Sequence, residues 1–256
     1  MNSRISTIAH YTLLEAMRTR LPVVVLVAII VLLLTSVFVG ALAVTETGRF
    51  QASVYAAGIR LAVVFISGLY VLASIAREFN DKGVDILLAL DLPRAHYVLG
   101  KLLGFLAIAL AVAMVASLPL LWFAPWSAVF QWGLSLAFEL AIMVAIALFC
   151  MLTFSQLVPA AGFILAFYLF ARSVTAIQLM SAHPLTGAGS LSHQVMSHVV
   201  DGLALVTPAL DQWTQTAWLV NEPTSWMTLL TIGWQSAIYL FLLATAAMFD
   251  LYRKNF

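Results

Sequence analysis

Residues 77–101 read REFNDKGVDILLALDLPRAHYVLGK and form the one long charged interruption between the apolar runs of this sequence. Within this stretch Val84, Leu87 and Leu88 recur at the spacing of one face of a helix, and Asp85 lies off that face. Pro93 ends the pattern, because proline has no amide hydrogen to donate inside a helix. The stretch therefore predicts a short amphipathic helix in a water-facing loop between two membrane spans.

The composition indicates an integral membrane protein. Of the 256 residues, 63% are apolar and 9% are charged, whereas soluble proteins have about 25% charged residues. The mean hydropathy is +1.04, and several apolar runs reach about 20 residues, the length that crosses a bilayer as a helix. The single cysteine, Cys150, lies in an apolar run and excludes an intrachain disulfide.

The apolar runs predict an all-α fold with six transmembrane helices in a single domain, residues 1–256. The predicted spans are 21–44, 56–76, 98–123, 131–154, 159–180 and 226–249. Residues 1–20 precede them as an interfacial helix, and Pro119 predicts a kink near the far end of the third span. Pro159 fits the first position of the fifth span. The first span is longer than the apolar core of a signal peptide, so we expect it to be retained.

The positive charges predict which side of the membrane each loop faces. Nine of the twelve lysines and arginines fall on the side that holds the termini and the charged loop: Arg4, Arg18, Arg20, Arg77, Lys82, Arg94, Lys101, Arg253 and Lys254. Cytoplasmic loops carry such an excess, so the sequence predicts a multi-pass protein of the cell membrane, the bacterial inner membrane, with both termini cytoplasmic. The seven tryptophans then lie in the outer half, where an aromatic belt is expected.

Residues 181–225 are too long for a hairpin and too apolar for a free loop. An apolar stripe from Leu191 to Val206 and a start signal at Thr207-Pro208 predict two short re-entrant helices on the outer side. The segment also carries three histidines and an aspartate, which are His183, His193, His198 and Asp201. Because His193 and His198 fall on diverging faces, polar residues that face headgroups or water are favoured over a metal site.

Three charged residues lie within predicted spans, where charge is costly in lipid and marks functional candidates. Glu139 and Arg172 each lie about 12 Å below the outer boundary at about 1.5 Å per residue, so adjacent antiparallel spans would let them pair. A buried ion pair that locks two helices is favoured over contact with a substrate. Arg60 lies near the outer boundary, where its side chain is expected to reach headgroups.

The order of these parts resembles the type-2 ATP-binding-cassette (ABC) permeases over essentially the whole chain. The N-terminal segment ends at Arg18-Thr19-Arg20, and the paired short helices precede the last span. The loop carries the most specific part of the likeness, which is Arg77-Glu78-Phe79, Gly83, Asp85, Leu87-Leu88, Pro93-Arg94, Tyr97 and Gly100-Lys101. The sequence departs from the family where Leu90-Asp91-Leu92-Pro93 stands for the usual "LP", and the helix stop at Pro93 is kept.

The resemblance implies partners and roles. In that family the permease pairs with a second permease and with two cytoplasmic ATPase subunits, and the helix of this loop docks into a groove of the ATPase. Carried onto this chain, residues 77–97 form the coupling loop, in which the ATPase contacts are Glu78, Asp81, Val84, Asp85, Leu87, Leu88 and Arg94. ATP and Mg²⁺ are then expected in the partner and no cofactor in this chain. Membrane lipid is the other expected partner, and nucleic acid is not.

The sequence carries no motif for ATP hydrolysis. A phosphate-binding loop reads G-x-x-x-x-G-K-[ST], but Ala95 stands where the first glycine should be and Leu102 follows Lys101. We therefore expect ATP hydrolysis in another chain. The resemblance implies that this chain is a non-enzymatic subunit of an ATP-driven exporter, a dimer whose pathway is lined by the first, second and fifth spans. The residues expected at an outer gate are His198, Asp201, Leu203 and Trp213. The alternative is an intramembrane enzyme or a structural assembly subunit that uses the outer His/Asp segment.

Overall fold

The computed structural model describes residues 2–42, 46–80, 93–182, 191–221 and 223–253. This part of the chain is 91% helical and contains no strand. In chain order its α-helices are α1 (Asn2–Arg18), α2 (Leu21–Leu42), α3 (Thr47–Asn80), α4 (Arg94–Ser117), α5 (Trp126–Phe154), α6 (Leu157–Ala182), α7 (Leu191–Val206), α8 (Ala217–Val220) and α9 (Trp226–Arg253). Two 3₁₀ turns, Leu118–Trp122 and Leu210–Gln212, complete the described secondary structure.

Six of these helices, α2 to α6 and α9, are long and apolar enough to cross a membrane. The protein is therefore an all-α multi-pass membrane protein, as its apolar runs predict. Helix α5 is the centre of the bundle, because 83% of its most apolar window is buried inside the protein, against 22% for α2 and for α9. It packs against α3, α4, α6 and α9. Helices α2 and α9 lie at the periphery and turn apolar side chains outward.

The last turns of α1 and α9 lie at the same end of the bundle as the helix ends on either side of residues 81–92. Glu15, near the end of α1, contacts Arg77 in the last turns of α3. Arg94, which begins α4, donates to the carbonyl oxygen of Leu251 near the end of α9 at 2.7 Å. Arg77 and Arg94, on either side of residues 81–92, therefore lie beside the last turns of α1 and α9. We call this side the terminal end.

Several predicted boundaries are wrong, and the helices are longer than the apolar runs. Helix α3 begins at Thr47 rather than 56, and α5 begins at Trp126 rather than 131. The extra turns are held by packing, since the Tyr55 ring is fully buried and its hydroxyl donates to the carbonyl oxygen of Ala116 at 2.9 Å. Helix α6 begins at Leu157, so Pro159 occupies its third position, not its first. Helix α9 continues to Arg253, four residues past the predicted end.

Two predictions about irregular segments also need correction. Pro119 does not kink a continuous helix, because α4 ends at Ser117 and Pro119 lies in the first turn of the 3₁₀ segment that follows. In the outer segment 181–225, the predicted first helix is α7, of 16 residues. The predicted second helix is instead a three-residue 3₁₀ turn followed by the four-residue α8. The predicted coupling helix, residues 82–92, lies outside the described residues.

Candidate functional site

The first cluster of functional interest lies at the terminal end, where three helices bring polar side chains together. We call it the terminal-end cluster, and its members are Glu15 of α1, Ser74, Arg77 and Glu78 of α3, and Tyr97 and Lys101 of α4. Helix α3 leads into residues 81–92 and α4 leads out of them. The cluster therefore holds both flanks of the segment that the sequence singles out for coupling.

Lys101 is the centre of this cluster. Its side chain is only 7% exposed, and its ammonium forms an ion pair with Glu78 and lies 3.7 Å from Glu15 Oε2. The Tyr97 hydroxyl donates to the second oxygen of Glu78 at 2.6 Å. A charge removed from water needs such a set of partners, because an isolated buried ammonium is strongly disfavoured. Lys101 thus ties the last turns of α3 to the first turns of α4.

Glu15 extends the cluster to α1. Its Oε1 accepts hydrogen bonds from the Ser74 hydroxyl at 3.0 Å and from Arg77 Nη2 at 3.2 Å. Glu15 is 34% exposed and Arg77 is 53% exposed, so this pair alone contributes little. The contacts of Glu15 nevertheless place α1 against the last turns of α3 and the first turns of α4, which Lys101 joins.

Close packing of α1 on α4 supports this arrangement. The two helices meet where α4 presents Gly100 and Gly104, one turn apart. A Cβ atom at Gly100 would lie 2.7 Å from Ile8 Cβ, and one at Gly104 would lie 2.6 Å from Thr12 Cβ. Small residues four apart allow helices in membranes to approach closely. Substitution at either glycine must push α1 outward.

Arg94 anchors the other flank. Its Nη1 donates to the carbonyl oxygens of Leu251 at 2.7 Å and Tyr252 at 3.3 Å, and its guanidinium lies 6.0 Å from the centre of the Tyr252 ring. Glu78 and Arg94 are thus both engaged in contacts within the chain. The other predicted coupling residues lie outside the described residues, and they are Asp81, Val84, Asp85, Leu87 and Leu88.

No protein-family model matches the sequence, and no curated protein matches it significantly.

The second cluster lies within the spans and includes the predicted ion pair. Glu139 of α5 is fully buried, and its Oε1 lies 3.4 Å from Arg172 Nη1 of α6. The Tyr168 hydroxyl, one turn before Arg172, donates to the same oxygen at 3.0 Å. The pairing expected from the depth of the two residues is therefore present. It joins the central helix to α6.

Arg172 and Arg60 each donate a hydrogen bond to the backbone of residues 210–214. Arg172 Nη1 donates to the carbonyl oxygen of Leu210 at 2.6 Å, and Arg60 Nη1 donates to that of Thr214 at 2.7 Å. The expectation that Arg60 reaches headgroups is wrong, because this bond turns its side chain toward the protein. The Ser135 hydroxyl also accepts from the Thr214 amide at 3.0 Å. Residues 210–214 are thus fastened to α3, α5 and α6.

The four residues expected at an outer gate differ in burial. His198, Asp201 and Leu203 are exposed on α7. Trp213 is 1% exposed and belongs to the hydrophobic core. Among the described residues, no three His, Cys, Asp or Glu side chains converge in a way that could hold a metal ion. His183 and the side chain of His193 lie outside what the structure describes.

Sequence reasoning missed the partners that complete both clusters. The sequence places Lys101 at the end of the charged stretch 77–101, and it does not indicate that Glu15 lies near it. The spacing of Gly100 and Gly104 is a signal that could have located the α1 contact, since it is typical of closely packed helices in membranes. No local signal identifies Tyr168 or Thr214, because their roles depend on which helices become neighbours.

Proposed function

We propose that this chain is the membrane-spanning permease subunit of an ATP-driven ABC exporter. Partner ATPase subunits bind the loop 77–97 from the cytoplasm, and a second permease copy completes the pathway. The chain itself hydrolyses nothing, and its work is to convert movement of the ATPases into movement of the spans. The type of substrate is left open by a mostly apolar set of spans.

The observation that carries this proposal is the bracing of both flanks of residues 81–92. A loop that only connects two spans has no need of a buried cation at its base. A loop that transmits force does, because a flexible attachment would absorb the displacement. Lys101 with Glu78 closes the base of this loop, and Arg94 fastens it to the end of α9. The two contacts support a rigid lever.

Helix α3 offers a route from this lever to the opposite end of the bundle. Its 34 residues extend about 51 Å at about 1.5 Å per residue. Arg77 and Glu78 lie in its last turns, and Arg60 lies in its opposite half. A rigid displacement at the loop would therefore reach the Arg60 contact with Thr214 through one element. The outer segment 210–214 is the structure that such a movement would shift.

The exposed apolar surfaces of α2 and α6 support the expected dimer. Only 22% of the most apolar window of α2 and 28% of that of α6 are buried within one chain. Helix α3 packs against both. Helices α2, α3 and α6 are the first, second and fifth spans, which the resemblance places around the pathway. A second copy would meet this side of the bundle.

Co-purification from native membranes tests the proposal. The full-length protein is expected to bring down a protein with a G-x-x-x-x-G-K-[ST] motif together with ATP hydrolysis, and the double variant Leu87→Asp/Leu88→Asp should lose both. A matched control is Val199→Asp/Leu203→Asp, which puts two charges on exposed apolar positions of α7. Loss in both variants, or in neither, argues against the coupling role. Chemical activity of the isolated chain would favour the enzyme alternative instead.

A further inference from the structure

A groove of about 560 Å³ opens at the terminal end between α2, α3 and the first turn of α6. Its floor is apolar and is formed by Leu21, Val24, Ile66, Leu69, Ala73 and Leu157. Several of these side chains are open to the surroundings, with Val24 46% exposed and Leu69 52% exposed. Within a membrane-spanning helix, such a surface is covered by protein or by a hydrocarbon chain, since water is absent there.

The rim of the same groove is basic and rich in donors. Arg20 and Arg77 line it together with Asn80, and no carboxylate is among its lining residues in the described structure. Arg77 uses Nη2 toward Glu15, and a guanidinium carries five N–H donors, so others stay available. Tyr70 also lines the groove, but its hydroxyl is buried and does not face it. The rim is therefore suited to an anion.

We infer that this groove binds one anionic phospholipid from the leaflet at the terminal end. Its phosphate lies between Arg20 and Arg77, and one acyl chain follows the apolar floor past Leu69. Basic pockets between transmembrane helices bind anionic headgroups in this way. The inference stands apart from the proposed transport function, because it needs only the groove and its charges.

A second copy that meets this side of the bundle would still fit the groove itself less well. A two-fold contact centred there would turn the same surface toward itself and bring the two arginines of each copy toward those of the other. Like charges repel, whereas a phosphate attracts both arginines. The shape agrees with this choice, since a concave groove accepts a chain and would leave a gap under a flat helix face.

Native mass spectrometry of the full-length, delipidated protein in detergent tests the inference. It is titrated with phosphatidylglycerol and, separately, with phosphatidylcholine of the same acyl chains. Phosphatidylglycerol should bind more tightly. Arg20→Gln should weaken phosphatidylglycerol binding by about fivefold, the factor that corresponds to about 1 kcal/mol for one arginine near an anionic headgroup. Binding of phosphatidylcholine should not change.

Two further variants separate this site from a general surface charge. Arg18→Gln removes an exposed arginine of α1 that does not line the groove, and it should leave binding unchanged. Ala73→Trp fills the apolar floor and should weaken both lipids. The inference is overturned if the two lipids bind equally, if Arg18→Gln acts like Arg20→Gln, or if Ala73→Trp binds as the wild type. The inference is also overturned if millimolar inorganic phosphate, or formation of a protein dimer, displaces the bound phosphatidylglycerol.

Discussion

Replacing Gly104 by alanine should loosen the packing of α1 on α4. The added methyl group would lie 2.6 Å from Thr12 Cβ and 3.0 Å from the carbonyl oxygen of Ala9, whereas ordinary contacts begin at 3.4 Å. The helices must separate locally by about 0.8 Å, the difference between 2.6 and 3.4 Å. Neither neighbouring atom is the end of a flexible side chain, so rotation cannot relieve the contact.

The size of the effect follows from two opposing terms. Overpacking of this kind costs about 1 to 3 kcal/mol. Alanine in place of glycine stabilises the interior of a helix by about 0.5 to 1 kcal/mol. The midpoints of these two ranges leave a net loss of about 1.2 kcal/mol in the docking of α1, which corresponds to a factor of about 8 in the population of the undocked helix.

Hydrogen exchange of the protein in lipid nanodiscs measures that population. Amides of α1 should exchange about 8 times faster in Gly104→Ala than in the wild type. Gly162→Ala is the matched control, because a Cβ at Gly162 of α6 would meet nothing within 4 Å. Equal exchange of α1 in both variants would refute the close packing of α1 on α4.

Three other substitutions test the two polar clusters. Lys101→Met should lower the free energy of unfolding by about 2 to 4 kcal/mol. This is somewhat less than the loss of one partner costs in a fully buried ion pair, because the carboxylates of Glu15 and Glu78 are partly exposed. Titration with a denaturing detergent measures the change. The double variant Glu139→Arg/Arg172→Glu should be more stable than Glu139→Gln but less stable than the wild type. The exchange keeps an ion pair but loses the hydrogen bonds to the Tyr168 hydroxyl and to the Leu210 carbonyl oxygen. Recovery of the full wild-type stability would contradict this network. Arg60→Met should speed hydrogen exchange of residues 210–220, whereas Arg49→Gln, which breaks an exposed pair, should not.

The features predicted well from the sequence are those that depend on composition and depth. Six apolar runs determine six spans, since each must cross the same hydrocarbon thickness. The pairing of Glu139 with Arg172 follows from their equal depth in consecutive helices. In both cases the thickness of the membrane fixes the length of each span and the depth of each residue along it.

The features predicted poorly are those that depend on neighbours. Residues 47–55 contain polar side chains and resemble a loop, yet they are helical because Tyr55 and Ala52 are buried against other elements. The sequence favours headgroups as the partner of Arg60. It does not reveal the actual partner, the carbonyl oxygen of Thr214, because that residue lies 154 positions away. A single sequence does not state which helices pack together or in what register.

The most direct test of the account is a photo-crosslink from position 87 in living cells. A photoreactive amino acid replaces Leu87, the membrane is illuminated, and the partner is identified by mass spectrometry. The account predicts an adduct with a cytoplasmic protein that carries a G-x-x-x-x-G-K-[ST] motif, and none when the same group replaces Leu203 on α7. An adduct with a protein from the opposite side of the membrane, or none in an assembled and active complex, would contradict it.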